Sequence, residues 1–217
     1  MKIAVYYDLP FGGASVALTE IISELRKRHE IVEYQNSENN KIALPPARLW
    51  KDIESIILQY FKQKKLANII NSQNFDLVLV CHDRHFQAPW ILRFLCKPTV
   101  FLCQEPTRAF FEKFLDIDPN LPLPNKFYEK LNRFLRKGIE IKNASFATKI
   151  IVNSNYSRES IKNAYGKDSA PIYMGVNTTK FFPQKLKIKN QVVVVGNNEP
   201  QKNLSLAICP SLQSTKK

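Results

Sequence analysis

Residues 3–34 read IAVYYDLPFGGASVALTEIISELRKRHEIVEY, and the apolar period changes twice along them. Residues 3–7 form a short apolar run ending in Asp8, followed by Leu9-Pro10-Phe11-Gly12-Gly13. That is the pattern of a buried strand and a tight turn. From Ala14 the apolar positions fall at helical spacing (Ala17, Leu18, Ile21, Ile22, Leu25), with Glu20, Glu24, Arg26 and Lys27 on the other faces. Residues 31–34 return to a strand. A strand, helix and strand in so short a span is the building block of a parallel sheet.

The alternation continues outward from this unit. Residues 49–70 read as a long amphipathic helix, with Ile53, Ile56, Ile57, Tyr60 and Phe61 on one side. Residues 77–81 form a strand with almost no polar interruption, as expected where both sheet faces are covered. A short helix is predicted at 89–95 and a strand at 99–103. Residues 116–125 hold Pro119, Pro122 and Pro124 and read as an irregular loop. Residues 127–146 have helical periodicity through Tyr128, Leu131, Phe134, Leu135 and Ile139 and are strongly basic. A strand at 149–152 follows. Ser157 suits the N-cap of a helix that Gly166 stops, and a brief strand is expected at 171–174.

Residues 1–182 therefore read as one α/β domain. Residues 183–190 carry Pro183, Lys185, Lys187 and Lys189 without a core pattern and read as a linker. Residues 191–196 look like a new buried strand and 203–208 the start of a helix. One strand and one helix cannot bury both their faces. Residues 191–217 are thus expected to be the incomplete start of a second α/β domain.

Composition narrows the function classes. The chain has 217 residues, 44% of them hydrophobic, enough for a sizeable core, so a disordered chain is excluded. Four cysteines without CxxC spacing argue against a disulfide scaffold; Cys81 and Cys103 read as buried thiols. No run reaches the roughly 18 apolar residues that span a bilayer. No secretory leader is read at the amino terminus, which predicts a cytoplasmic location. The net charge of +13 is uneven: residues 1–120 carry 15 basic and 14 acidic side chains, residues 121–217 carry 17 and 5. The second part suits phosphates, an anionic lipid surface or nucleic acid, or is a solvated face that aids solubility.

In parallel sheets, ligands bind in the loops at the carboxyl ends of strands. The first such loop contains Gly12 and Gly13, which would admit a phosphate or a sugar hydroxyl at a helix N-terminus. It matches neither GxGxxG nor a GK[ST] loop, which argues against dinucleotide and ATP sites. The second contains His82, Asp83, Arg84 and His85; no third His is near, so polar rim residues are the better reading than a metal site. The third delivers Gln104, Glu105 and Arg108, suited to anions and sugar hydroxyls, or to an internal Glu105–Arg108 pair. The fourth is Asn153-Ser154, rich in capping groups. The fifth, from Gly196 to Asn203, places Lys202 near a helix N-terminus, where an anionic ligand between them would explain it.

In this order the pieces resemble the family 4 glycosyltransferases of GT-B type, to about residue 208. The most specific stretch is Ile-Ile-Val-Asn-Ser at 150–154, Tyr165-Gly166, and Gly175-Val176-Asn177 with Phe182-Pro183; Asn177 stands where the family has Asp. The resemblance implies the amino-terminal half of a GT-B fold, Rossmann-like, with the opening of the donor-binding half. It implies a retaining transfer of a sugar from a nucleotide-sugar to a saccharide or lipid-linked acceptor, with neither cofactor nor metal. Gly12 and Gly13 would lie near the donor phosphates and acceptor. Gln104 falls where many members have a histidine that touches the transferred sugar. His82, Glu105, Arg108, Asn153 and Ser154 would contact substrate. Gly196 and Lys202 would hold the donor phosphates, while Asn197 replaces a frequent arginine. The family's E-x7-E element is absent, so the resemblance implies a shortened form with little activity alone and the missing half as a partner. An alternative is a module that docks on an anionic membrane, through residues 49–70 with Trp50, Phe61, Lys62, Lys64 and Lys65. Nucleic acid is disfavoured, because no recognition motif accompanies the charge.

Overall fold

The computed structural model describes residues 1–35, 47–112, 117–183 and 193–194, with the backbone alone at 47–49, 51 and 54. Most of the expected linker, residues 191–192 and 195–196, the helix at 203–208, Gly196, Lys202 and Cys209 lie outside the described residues, while Val193 and Val194, expected in a buried strand, are exposed and lie in none. The chain divides into two compact units, Met1–Met174 and Gly175–Lys217.

The first unit is a six-stranded sheet in the order β2-β1-β3-β4-β5-β6, every neighbour parallel. Its strands are β1 (Lys2–Tyr7), β2 (Glu30–Gln35), β3 (Leu77–Cys81), β4 (Thr99–Leu102), β5 (Lys149–Val152) and β6 (Ala170–Pro171). The helices are α1 (Gly13–Arg26), α2 (Ala47–Asn71), α3 (Arg108–Phe111), α4 (Leu123–Ala144) and α5 (Asn155–Tyr165), with a 3₁₀ turn at Trp90–Arg93. This is the expected α/β, Rossmann-like fold.

The two faces are covered unequally. Ala4, Tyr6, Val78, Val80, Phe101, Ile150 and Val152 point to one face, where α2, the 3₁₀ turn, α4 and α5 bring Ala67, Ile70, Ile91, Ala144 and Ile161. Ile3, Val5, Leu79, Cys81 and Leu102 point to the other, where α1 supplies Leu18 and Ile22. Alternating burial on both faces is why these strands read as unbroken apolar runs.

Several expectations are corrected. Helix α4 starts at Leu123, inside the expected loop, because a proline is tolerated in the first turn, where its missing N–H has no partner to lose. Ser154, not Ser157, caps α5: its hydroxyl accepts the Ser157 N–H at 3.1 Å. The expected helix at 89–95 is a single 3₁₀ turn, and the last strand is two residues long.

The largest surprise is the facing of α2. Its buried positions are Gln59, Gln63, Ala67 and Ile70, whereas Ile53, Ile57 and Phe61 are exposed. Gln63 donates to Asp83 at 2.7 Å and accepts the Ile91 N–H at 2.8 Å. Burying polar groups that a loop needs turns an apolar row of the helix outward.

Candidate functional site

All six strands are parallel, so the loops after them gather at one edge of the sheet. The chain runs from β1 out to β2 and then returns to the opposite side of β1 for β3. Connections therefore diverge between β1 and β3, which opens a crevice at their carboxyl ends. Along that edge stand, in spatial order, Gly12-Gly13 after β1, His82 after β3, Gln104, Glu105 and Arg108 after β4, and Asn153-Ser154 after β5.

The β1 loop turns directly into α1. Ser15 Oγ accepts the Gly12 N–H at 3.0 Å and donates to the Gly12 carbonyl at 2.8 Å, which fixes the entry to the helix. A Cβ at Gly12 or Gly13 would meet nothing within 4 Å. The space above the glycines is open, and the first-turn N–H groups of a 14-residue helix face it.

The β1 and β3 loops are tied together. The Asp8 N–H donates to the His82 carbonyl at 3.5 Å, and Arg84 Nε lies 3.1 Å from Asp8 Oδ1. Asp8 is buried. Burial pushes its carboxyl above the ordinary aspartate range, and Arg84 opposes that. Sequence reasoning passed over Asp8 as a mere strand end; a carboxylate closing an apolar strand at a switch point was the available signal. Burial also pushes His82 down, from 6.5 to about 4, so its imidazole is neutral at pH 7.

Beneath this loop Asp83 is buried and accepts from the N–H groups of His85 and Phe86, both at 2.7 Å, and from the Tyr6 hydroxyl at 3.4 Å. Its oxygens are consumed in shaping the loop, which removes the His82-Asp83-His85 metal reading. No group of three or more metal-ligating side chains exists among the described residues.

The β4 loop offers free chemistry. Gln104 is half-buried and Glu105 exposed, and no hydrogen bond holds either side chain among the described residues. Arg108 lies 2.9 Å from Glu112, four residues on, where the sequence offered Glu105 as its partner. At the fourth position Asn153 and Ser154 serve the cap: Ser157 Oγ donates to Asn153 Oδ1 at 2.7 Å.

A fully buried carboxylate that the sequence reading missed supports these loops. Glu140 of α4 accepts from the Gln87 N–H at 2.9 Å, Thr107 Oγ1 at 2.7 Å and the Tyr165 hydroxyl at 3.2 Å. One side chain thus joins α4 to the loops after β3 and β4 and to α5. Burial raises its carboxyl above the glutamate range, and the three donors counter the rise.

In the second unit, Asn177 Oδ1 accepts the N–H groups of Thr179 and Lys180 at 3.1 and 3.2 Å and the Thr179 hydroxyl at 2.6 Å. An aspartate would accept the same bonds, so the Asn177 departure leaves the turn chemistry intact.

Among curated proteins, none matches the chain. A family model does: the one described as Glycosyltransferase Family 4 aligns with residues 11–180, from the glycine turn to the Asn177 turn. A match over most of the chain, on a parallel sheet with its polar loops at one edge, makes this protein a member of glycosyltransferase family 4.

Proposed function

We propose that the chain forms the acceptor side of a retaining glycosyltransferase, which moves a sugar from a nucleotide-sugar to a saccharide or lipid-linked acceptor. The observation that carries this is the crevice between β1 and β3, in a chain of this family. The open Gly12-Gly13 turn at the positive end of α1 suits a donor phosphate or an acceptor hydroxyl. Gln104 supplies an unengaged amide, a donor and an acceptor together, beside the transferred sugar. Neutral His82 and Glu105 would hold hydroxyls, and Arg108 an anionic group. Gly196 and Lys202 would take the donor phosphates, and no cofactor is required. A cytoplasmic site, where nucleotide-sugars are made, fits this chemistry.

The test is transfer and binding by the 217-residue chain with a panel of nucleotide-sugars and acceptors, scored by NMR. We expect little turnover by the chain alone, any product to retain the anomeric configuration, and Gln104→Ala to lower that turnover by about a hundredfold, the scale of one lost transition-state hydrogen bond. Where turnover is slow, nucleotide-sugar should still move the amide resonances of residues 12–15 and 104–108. Neither transfer nor such shifts with any donor would overturn the reading.

A further inference from the structure

A cleft of about 730 Å³ lies between α3 and α4. The chain enters α3 directly from the β4 loop, Arg108 being its first residue, so the cleft continues the edge that bears Gln104 and Glu105. One wall is a row of cations. Lys126, Lys130, Arg133 and Lys137 of α4 recur at spacings of four, three and four residues, which puts them on one side of the helix. Neighbours in such a row stand about 5–6 Å apart, and the whole row runs about 16 Å along the axis. The facing wall is aromatic, with Phe110 and Phe111 of α3; Lys137 Nζ lies 4.8 Å from the centre of the Phe111 ring.

The charge in this cleft is not balanced from within. Among the described residues the one carboxylate in its lining is Glu112, and both its oxygens take Arg108 Nε, at 3.0 and 2.9 Å. No ion pair among the described residues involves Lys126, Lys130 or Lys137. The contacts that Lys126 and Arg133 do make are to backbone: Lys126 donates to the Pro119 carbonyl, and Arg133 to the Ala109 carbonyl at 3.2 Å. These bonds hold the long side chains against the cleft and leave their charge uncompensated by the carbonyls.

We propose that the α3–α4 cleft is the acceptor subsite for an acidic saccharide, a chain of sugars bearing carboxylate groups. A row of separated cations fits charges carried on successive sugars; one compact anion would use only part of it. The C–H faces of sugar rings pack on the phenyl groups, while the lysines and Arg133 take the carboxylates. The volume is that of a small-ligand site, room for a few sugar rings and too little for a nucleic-acid duplex. The assignment rests on the acceptor-side reading given above and names the charge of that acceptor.

The test is binding to the isotope-labelled full chain, followed by NMR and calorimetry without any nucleotide-sugar. The probes are the hexamers of galacturonate and of hyaluronate, with maltohexaose as the neutral counterpart. At least one acidic hexamer should move the amide resonances of residues 109–112 and 126–137. It should bind at least about tenfold more tightly than maltohexaose, and more weakly as salt rises. Lys126→Gln with Lys130→Gln should weaken that binding by about tenfold or more. Phe110→Ala should weaken it without changing the salt dependence. Lys142→Gln with Lys149→Gln removes the same charge away from the cleft and should leave binding as it was. The proposal is overturned if neither acidic hexamer binds, if maltohexaose binds as well as they do, or if the two double variants act alike. It is equally overturned if the cleft resonances answer only to phosphatidylglycerol vesicles or only to oligothymidylate, as a lipid or nucleic-acid site would. Shifts at residues 12–15 and 104–108 on adding nucleotide-sugar to the same sample separate a failure of this subsite from a failure of the glycosyltransferase reading.

Discussion

Gln63 stands between the Asp83 carboxylate and the Ile91 amide; its loss would take one donor from Asp83 and leave the buried Ile91 N–H without its acceptor. Gln63→Leu should cost about 2 kcal/mol or more in urea unfolding, although it replaces a polar residue in the interior by an apolar one. Glu140→Ala strands three donors at once and should cost about 3 kcal/mol or more; Glu140→Gln, which keeps an acceptor, should cost less. His82 gives a pH signature. An unfolded histidine takes its proton near 6.5 and the folded one near 4, so acidification through that window favours the unfolded chain. Asp8, Asp83 and Glu140 act with the opposite sign, because their folded carboxyls protonate more readily than the unfolded ones. Comparing the parent with His82→Asn cancels the carboxylates. The variant should lose less stability on going from pH 7 to about 4, by about 2–3 kcal/mol.

Among the elements, strands were the most legible. β3 begins and ends where its apolar run does, because a strand buried on both faces has no polar positions to blur its ends. Helix facing was not legible. Apolar residues occur all round α2, and nothing local says that Gln63 must reach Asp83, 20 residues on, or that Gln59 must reach His85, 26 residues on. The same holds for α4, where Leu131, Phe134 and Leu135 keep a helical period yet stay exposed. The α5 cap was misread because Ser154 and Ser157 are both capping residues, and only the position of the first helical turn separates them. Ser154→Ala should therefore lower stability by about 1 kcal/mol. Gly166 closes the same helix at φ 67°, so Gly166→Ala should cost about 1 kcal/mol although its Cβ meets no neighbour. Thermal unfolding checks both.

Across the whole molecule, the gathering of the candidate loops was legible, because parallel pairing places every loop after a strand at one edge. Asp8 and Glu140 were not, since their work is done by partners from distant segments that only the folded chain assembles. Stability should be graded across the sheet in the same way. Native-state hydrogen exchange is expected to be slowest in β1 and β3, which have neighbours on both sides, and fastest in β2 and β6 at the edges.

The same strand order has a consequence for biosynthesis. After β1 and β2 have paired, each later strand docks on one already present: β3 on β1, then β4, β5 and β6 each on its predecessor. Every strand after β1 finds a partner already made. The growing edge, rather than the finished sheet, is then the aggregation-prone species. Slowing translation within α2, before β3 emerges, would leave the inner side of β1 unpaired for longest.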